Sequence, residues 1–121
     1  IGAGAYASAN TSENYGVAIG FNAATLLDGI DNVVAIGHSA LSTMVAVDGN
    51  TAVGFEAGKV TTGANNTYVG FKAGLALSTG VGNTLIGSEA GDALTSGANN
   101  IIIGKNAAAS AVSALAVTHS T

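Results

Sequence analysis

The chain has 121 residues, enough for one ordinary domain, with 18 glycines, 8% charged residues and 5% aromatic residues. It contains no cysteine, which excludes a disulfide or a thiolate metal site, and its formal net charge of -4 argues against nucleic acid or an anionic membrane surface as a partner. Gly, Asn, Ser or Thr interrupts every apolar stretch well before the length of a membrane span, so we predict no membrane insertion.

A short motif recurs along the chain, in which a glycine follows Ile or Val and is itself followed by an alanine three residues later. Successive motif glycines are 16 to 18 residues apart. In chain order they are Gly2, Gly20, Gly37, Gly54, Gly70, Gly87 and Gly104. A repeat of this kind is typical of solenoid proteins. We therefore predict a single array over residues 1–121, with seven coils of about 17 residues.

Each repeat is predicted to hold two short strands and two turns. The segment before each motif glycine is short, rich in Val, Ile and Thr, and bounded by Gly and Asn, which favours a strand over a helix. A second turn signal, Thr or Ser followed by Gly, precedes later motif glycines at Gly63, Gly80 and Gly97. The predicted fold class is all-β, a parallel β-roll or β-solenoid with two strands per coil.

The residues of the first strand divide between two faces. The position before the motif glycine is Ile or Val in all seven repeats. With the positions three before and one after the glycine, it forms one bulky face, because alternate strand residues share a side. The position two before the glycine lies on the other face, which is mostly small. The sequence leaves open which face points into the coil.

Stacking the coils about 4.8 Å apart aligns like residues along the axis. Such stacking predicts an amide ladder, the arrangement found where identical strands stack in register. Its members are Asn50, Asn66, Asn83 and Asn100. It also makes Glu56, Lys72 and Glu89 axial neighbours of alternating sign, each pair contributing about 0.2 to 1 kcal/mol at a surface.

The two ends of the chain differ from the middle. Residues 107–117 are rich in alanine and lack glycine, so they are either helical or part of a seventh coil, and the spacing favours the coil. The chain begins and ends within the motif, which would leave strand edges open. We therefore expect it to be a segment of a longer fibrous protein.

The pattern Asn-Thr-x-Val/Ile-Gly-x-x-Ala-Gly, present at residues 50–58, 66–74 and 83–91, resembles the repeats of bacteriophage tail fibres. It is similar, more loosely, to the head repeats of trimeric autotransporter adhesins. The resemblance covers residues 1 to about 110. In the adhesin heads, three left-handed parallel β-rolls associate around a threefold axis, and the resemblance implies a side-by-side homotrimer here. The 17-residue unit with Ala-Gly favours the phage fibre over the adhesin.

A homotrimer is also expected on physical grounds. A chain with three Phe and three Tyr in a thin roll has little interior to support itself. One strand face can be buried within each roll, and the other would need a neighbouring chain to cover it. Association of three chains would provide that cover.

We predict no catalytic, cofactor-binding or metal-binding residues. The two imidazoles, His38 and His119, lack a second ligand at metal-site spacing, although three copies of His38 around an axis would be a conceivable site. Asp28, Asp31 and Asp48 fall in predicted turns and do not recur with the repeat, as a calcium-binding array would require. The Gly-x-x-x-Gly segments beginning at Gly54, Gly70 and Gly87 match a membrane-helix motif, but a strand followed by a corner explains them better.

The functional hypothesis is a structural segment of a trimeric phage tail fibre, located in the virion and attached to other fibre segments. It would be a rigid rod that positions host-receptor binding, with any receptor contact of its own at corner loops 28–32 and 44–50. The alternative is the head domain of a bacterial surface adhesin. A hexapeptide-repeat acyltransferase is disfavoured, because Lys59 and Asn65 occupy the positions where Ile or Val should follow Val53. We predict that the chain is not an enzyme.

Overall fold

The computed structural model describes residues 1–6, 16–26, 32–44 and 48–109. Within them, six parallel strands form one sheet whose spatial order follows the chain. The strands are β1 (Gly16–Ile19), β2 (Val33–Ile36), β3 (Thr51–Val53), β4 (Thr67–Val69), β5 (Thr84–Ile86) and β6 (Ile101–Ile103). Each repeat adds one strand to the sheet, so the predicted parallel β-solenoid with turns of about 17 residues is confirmed for about five turns.

The strands pair in the register that the repeat predicts. Val34 lies beside Thr51, and Thr51 lies beside Thr67. The residues before successive motif glycines are paired in the same way, for example Val69 with Ile86. One repeat is a residue shorter than its neighbours, and the difference is absorbed outside the strands. The columns read from the sequence are therefore real rows of stacked side chains.

The prediction of two strands per coil is wrong for the described part of the chain, where each repeat contributes one strand. The remainder of the coil contains turns and an isolated parallel bridge between Val81 and Ala98. The physical reason is the corner after each motif glycine, where two further residues adopt positive φ and interrupt the extended chain. No helix occurs in the described residues.

The two ends of the array are only partly described. At the start, the carbonyl of Ile1 accepts a hydrogen bond from the amide of Gly20 (2.7 Å), so the first residues stack on the next repeat. Residues 110–121 lie outside the described part of the chain. The prediction of seven coils, and the choice between coil and helix near the end, are therefore untested.

The motif glycine is required by the close approach of neighbouring coils at the corner. Gly20 has a φ of +130°, and a Cβ there would lie 2.6 Å from the carbonyl oxygen of Gly37 in the next coil. An L-residue would therefore be strained by its backbone conformation and would also clash with that backbone. The same approach repeats along the column, which explains why the glycine recurs in every repeat.

Hydrogen bonds continue between coils around the corner. The amide of Lys72 donates to the carbonyl of Phe55 in the preceding coil (2.8 Å), whereas the amide of Gly74 donates to Ala90 in the following coil (2.9 Å). Both residues have positive φ, near +55° and +61°. Alternate backbone amides thus point in opposite directions along the axis, and the corner keeps its polar groups paired without being a strand.

The structure answers which strand face points inward. The buried face is the mostly small one, with the column Ala18, Ala35, Ala52, Tyr68, Leu85 and Ile102. The Val, Ile and Thr positions point outward. The rest of the coil is also apolar inside: Leu41 at the corner is fully buried, and so are Met44, Leu77 and Leu94, each seven residues after its motif glycine.

The predicted asparagine ladder is confirmed, and it lies inside the solenoid. The Asn66 Oδ1 atom accepts hydrogen bonds from the backbone amide (2.9 Å) and the side-chain amide (3.0 Å) of Asn83. Asn50 accepts from Asn66 and Asn83 accepts from Asn100 in the same manner. The side-chain amide of Asn66 also donates to the carbonyl of Gly80 (2.8 Å). The ladder therefore ties the start of each strand to the second turn signal.

Candidate functional surface

The outer side of the sheet presents an apolar strip that runs along the described solenoid. We call it the outward strip, and it comprises the second and fourth residues of β1 and β2 and the first and third residues of β3 to β6. These positions hold only Val, Ile and Thr. Five of its large apolar side chains are exposed, from 36% for Val69 and Ile86 to 51% for Ile103, whereas Val34, Ile36, Val53 and Ile101 are half-buried.

A stack of aromatic rings follows the sheet at its corner, immediately after the motif glycines. The ring centroids of Phe21 and His38 are 5.2 Å apart, those of His38 and Phe55 are 5.1 Å apart, and those of Phe55 and Phe71 are 5.3 Å apart. The interplanar angles are 28° or less. The rings therefore lie face over face at about one coil spacing.

The stack accounts for His38, which the sequence offered as a conceivable metal ligand. Its imidazole lies between Phe21 and Phe55. At the other end of the stack, the ammonium group of Lys72 is 5.2 Å from the centroid of the Phe71 ring, a cation–π contact. The second candidate imidazole, His119, lies outside the described residues.

The column of charged residues, Glu56, Lys72 and Glu89, is stacked as predicted, but Glu56 and Lys72 contact other partners than each other. The amides of Lys72 and Glu89 donate to the preceding coil at equivalent positions, so the residues are stacked as expected. Glu56, however, pairs with Lys59 in its own turn, at 2.7 Å between Oε1 and Nζ, while Lys72 lies over Phe71. The hydrogen bond from Lys59 lowers the pKa of the Glu56 carboxyl, and the positive charges of Lys59 and Lys72 act in the same direction.

The predicted turn acids are only partly visible. Asp28 and Asp31 lie outside the described residues, as do residues 45–47 of the second corner loop. Asp48 is exposed before β3, next to a bend at Gly49, and its carbonyl accepts the amide of Asn65 in the following coil (3.1 Å). The residues just before it, 45–47, lie outside the described chain, so the predicted turn stays a prediction.

In the described ranges, no group of three or more His, Cys, Asp or Glu side chains could hold a metal ion. The same residues enclose no pocket. None of them forms a helix that could span a membrane. The Gly54-x-x-x-Gly58 segment lies at a corner with positive φ at both glycines, as the strand-and-corner interpretation predicted.

Sequence reasoning found the columns of the outward strip but not their direction. A signal was present in the pairing of large and small residues across the coil. Gly58 lies between Leu41 of the preceding coil and the Tyr68 ring of the following one, and Gly74 also lies against that ring. Residues that fill one close-packed interior compensate for one another in size. That relation would have identified the inward face.

No known protein family matches the chain, and the searches of curated proteins and of solved structures also gave no match.

Proposed function

We propose that this chain is a structural segment of a trimeric phage tail fibre, a rigid rod that positions host-receptor binding. The observation that carries the proposal is the solenoid with its outward strip. Hydrogen bonds between polar groups join each coil to the next, and an apolar strip lies along the outer side of the sheet. Coils joined in this way keep a fixed orientation along the axis, as a rod requires, and the strip is a surface suited to lateral association. The motif resemblance to tail-fibre repeats points to the same role.

Immunoelectron microscopy tests this proposal in the source material. Antibodies raised against the purified chain are applied to virions and to cells of the strain that encodes it. We expect labelling along the fibres of virions. Labelling confined to the bacterial surface would favour the adhesin alternative instead, and labelling confined to the cell interior would overturn both.

The oligomeric state gives a second, independent test. Sedimentation equilibrium of the purified chain should report the mass of three 11.6 kDa chains. A mass that stays at one chain across the accessible concentration range would contradict the trimer.

A further inference from the structure

We propose that the corner position of Ser88 is a binding site for a planar aromatic ring that carries an anionic group. The site is the space over Ser88, between the side chains of Phe71 in the preceding coil and Lys105 in the following one, and we call it the ring gap. Both flanking side chains are exposed, so the ring gap is a cleft between neighbouring corners and not an enclosed cavity. This binding site goes beyond the proposed role as a fibre segment and does not depend on it.

The ring gap lies where the stack of aromatic rings ends while the coils continue. In chain order, the residues that follow the motif glycines are Ala3, Phe21, His38, Phe55, Phe71, Ser88 and Lys105. The amide of Glu89 donates to the carbonyl of Phe71 (2.7 Å), and the amide of Asn106 donates to the carbonyl of Ser88 (2.9 Å). Phe71, Ser88 and Lys105 therefore stand one above another in register, and the middle position has no ring.

The height of the ring gap matches one flat ring. Phe71 and Lys105 are two coils apart, roughly 10 Å, so a ring between them lies about one coil spacing from each. The rings of the stack already have that separation, with neighbouring centroids 5.1 to 5.3 Å apart. Phe71 is 45% exposed although Phe55 covers one of its faces. The face of Phe71 toward Ser88 is therefore a surface on which a further ring stacks in the same offset manner.

Two lysines border the ring gap and favour an anionic ligand. The Lys72 ammonium is 5.2 Å from the centroid of the Phe71 ring, and because Phe55 covers the opposite face, the ammonium lies on the side of the gap. Within the described chain it has no carboxylate partner. Lys105 is exposed on the far side of the gap. The acids of this corner, Glu89 and Asp92, follow Ser88 along the chain, so an anionic group at the gap meets the two ammonium groups first.

Binding exchanges one contact of Lys72 for another. The ligand ring stacks on Phe71 where the ammonium now lies, and the long side chain of Lys72 turns its ammonium to the anionic group at the edge of the ring. Lys105 contacts the same group from the following coil, and the Ser88 hydroxyl is a further donor. A single open ring face supports only weak binding, so we expect a dissociation constant on the order of 1 mM for a two-ring anion such as naphthoate.

Titration of the full chain with naphthoate, followed by NMR, tests the site. We expect the largest chemical-shift changes at Phe71, Ser88 and Lys105. Ser88→Phe places the chain's own ring in the gap, as Phe does at this position in other coils, and should weaken naphthoate binding about 10-fold or more. Val81→Phe is the matched control, because Val81 is exposed (43%) and outside the ring stack, and it should leave the affinity unchanged.

The charge of the probe tests the two lysines. Naphthylmethylammonium presents the same ring with the opposite charge, and we expect it to bind about 10-fold more weakly than naphthoate. Lys105→Gln should lower the affinity for naphthoate about 3-fold, because one of two exposed ammonium groups is removed. The same substitution should not weaken binding of the cation.

Naphthoate that binds Ser88→Phe as tightly as the wild type, or that shifts only resonances away from this corner, would overturn the site. Tighter binding of the cation than of naphthoate would overturn the anionic specificity and make Glu89 the dominant charge. If Ser88→Phe fails to fold, intermolecular NOEs between naphthoate and the Phe71 ring of the wild type decide alone. None of these outcomes bears on the proposed fibre, which is tested by labelling and by oligomeric state.

Discussion

In the early turns of the solenoid, the strands contribute alanine to the interior, and Leu41 fills the space at the corner. Ala35, Leu41 and Met44 are fully buried. In the later turns, Tyr68 and Leu85 fill the interior from the strand, and glycines stand at the corner position that Leu41 occupies. The position of Met44 stays large and apolar there, as Leu77 or Leu94. The comparison shows that the space between strand and corner is filled from different sides in different turns.

The same two regions differ in how the strand begins. In the early turns this column holds Gly16 and Val33, and Val33 is fully buried. From Asn50 onward the column is asparagine, and side-chain amides link coil to coil. The early turns therefore depend on apolar packing, and the later turns add a buried hydrogen-bonded ladder whose members depend on one another.

The largest effect is expected from breaking the ladder at Asn66→Leu. This change keeps the branched shape of the side chain but leaves the amide of Asn83 and the carbonyl of Gly80 without side-chain partners. Each buried group left unpaired costs about 1 to 3 kcal/mol, so we expect a loss of roughly 3 to 5 kcal/mol in the free energy of unfolding. Urea denaturation measures it.

Val33→Ala is the control in the early turns, at the same column position. Only packing is lost there, and the expected cost is about 2 kcal/mol. Equal losses for the two variants would show that the ladder adds nothing to packing.

A second effect, nearly as large, is expected where the later turns depend on glycine. Gly74 has a φ of +61°, and a Cβ there would clash with the Tyr68 ring and lie 2.9 Å from Leu85 Cδ1. Gly74→Ala should therefore destabilise the chain by about 2 to 4 kcal/mol, combining backbone strain with overpacking. In a Tyr68→Ala background the clash with the ring is absent, and the cost should fall toward the backbone strain of about 1 kcal/mol, with a small remainder from the contact with Leu85 Cδ1.

The early turns provide the reverse substitution. Ala24 holds the equivalent corner position, with a φ of +51° and full burial. Ala24→Gly loses a buried methyl group but relieves the strained backbone, so stability should change by less than about 1 kcal/mol. A destabilisation as large as that of Gly74→Ala would contradict the comparison of the two regions.

An intermediate effect is expected from the polar contact that Tyr68 makes at the far wall. Its hydroxyl lies 2.6 Å from Thr61 Oγ1, where other coils place Met44 or Leu77. Tyr68→Phe should cost about 1 kcal/mol, because the buried Thr61 hydroxyl loses one hydrogen bond and keeps the one it donates to the Leu77 carbonyl (3.2 Å). Adding Thr61→Val should cost less than the sum of the single changes, and strict additivity in a double-mutant cycle would refute the coupling.

The same phenol gives the later turns a dependence on alkaline pH. Burial raises the pKa of Tyr68 in the folded chain above its ordinary value. The neutral phenol therefore makes its full contribution to the free energy of unfolding below the pKa of tyrosine in the unfolded chain, about 10. That contribution declines as the pH rises above this value. Tyr68→Phe should flatten the fall in unfolding free energy between about pH 9.5 and 11. An unchanged slope would show that Tyr68 is not its source.

The smallest effect is expected at the surface of the later turns. The hydrogen bond from Lys59 lowers the pKa of the Glu56 carboxyl in the folded chain. The ionised carboxyl therefore stabilises the fold above its pKa in the unfolded chain, and this contribution is lost as the pH falls through its lower pKa in the folded chain. Glu56→Gln should cost less than about 1 kcal/mol near neutral pH, and the difference should shrink in high salt. Glu89→Gln is the comparison, since Asp92 stands where Lys59 follows Glu56.

Much of the fold could be predicted because the repeat is visible in single residues. The motif glycines gave the strand register, and the spacing of Asn50, Asn66 and Asn83 gave the ladder. The second strand was predicted wrongly, because turn signals and small residues do not reveal that Glu56 and Gly58 both adopt positive φ. The ion pairs also differed, because long side chains such as Lys72 have several partners within reach.

The sequence by itself determined the periodicity, the parallel stacking and the identity of each column, because side chains that recur at a fixed interval must align when coils stack. Only the tertiary structure decided which face is buried. Both strand faces are apolar, and the choice depends on how Tyr68, Leu85 and the corner glycines fill one cross-section. That choice leaves the Val, Ile and Thr columns on the outside of the solenoid.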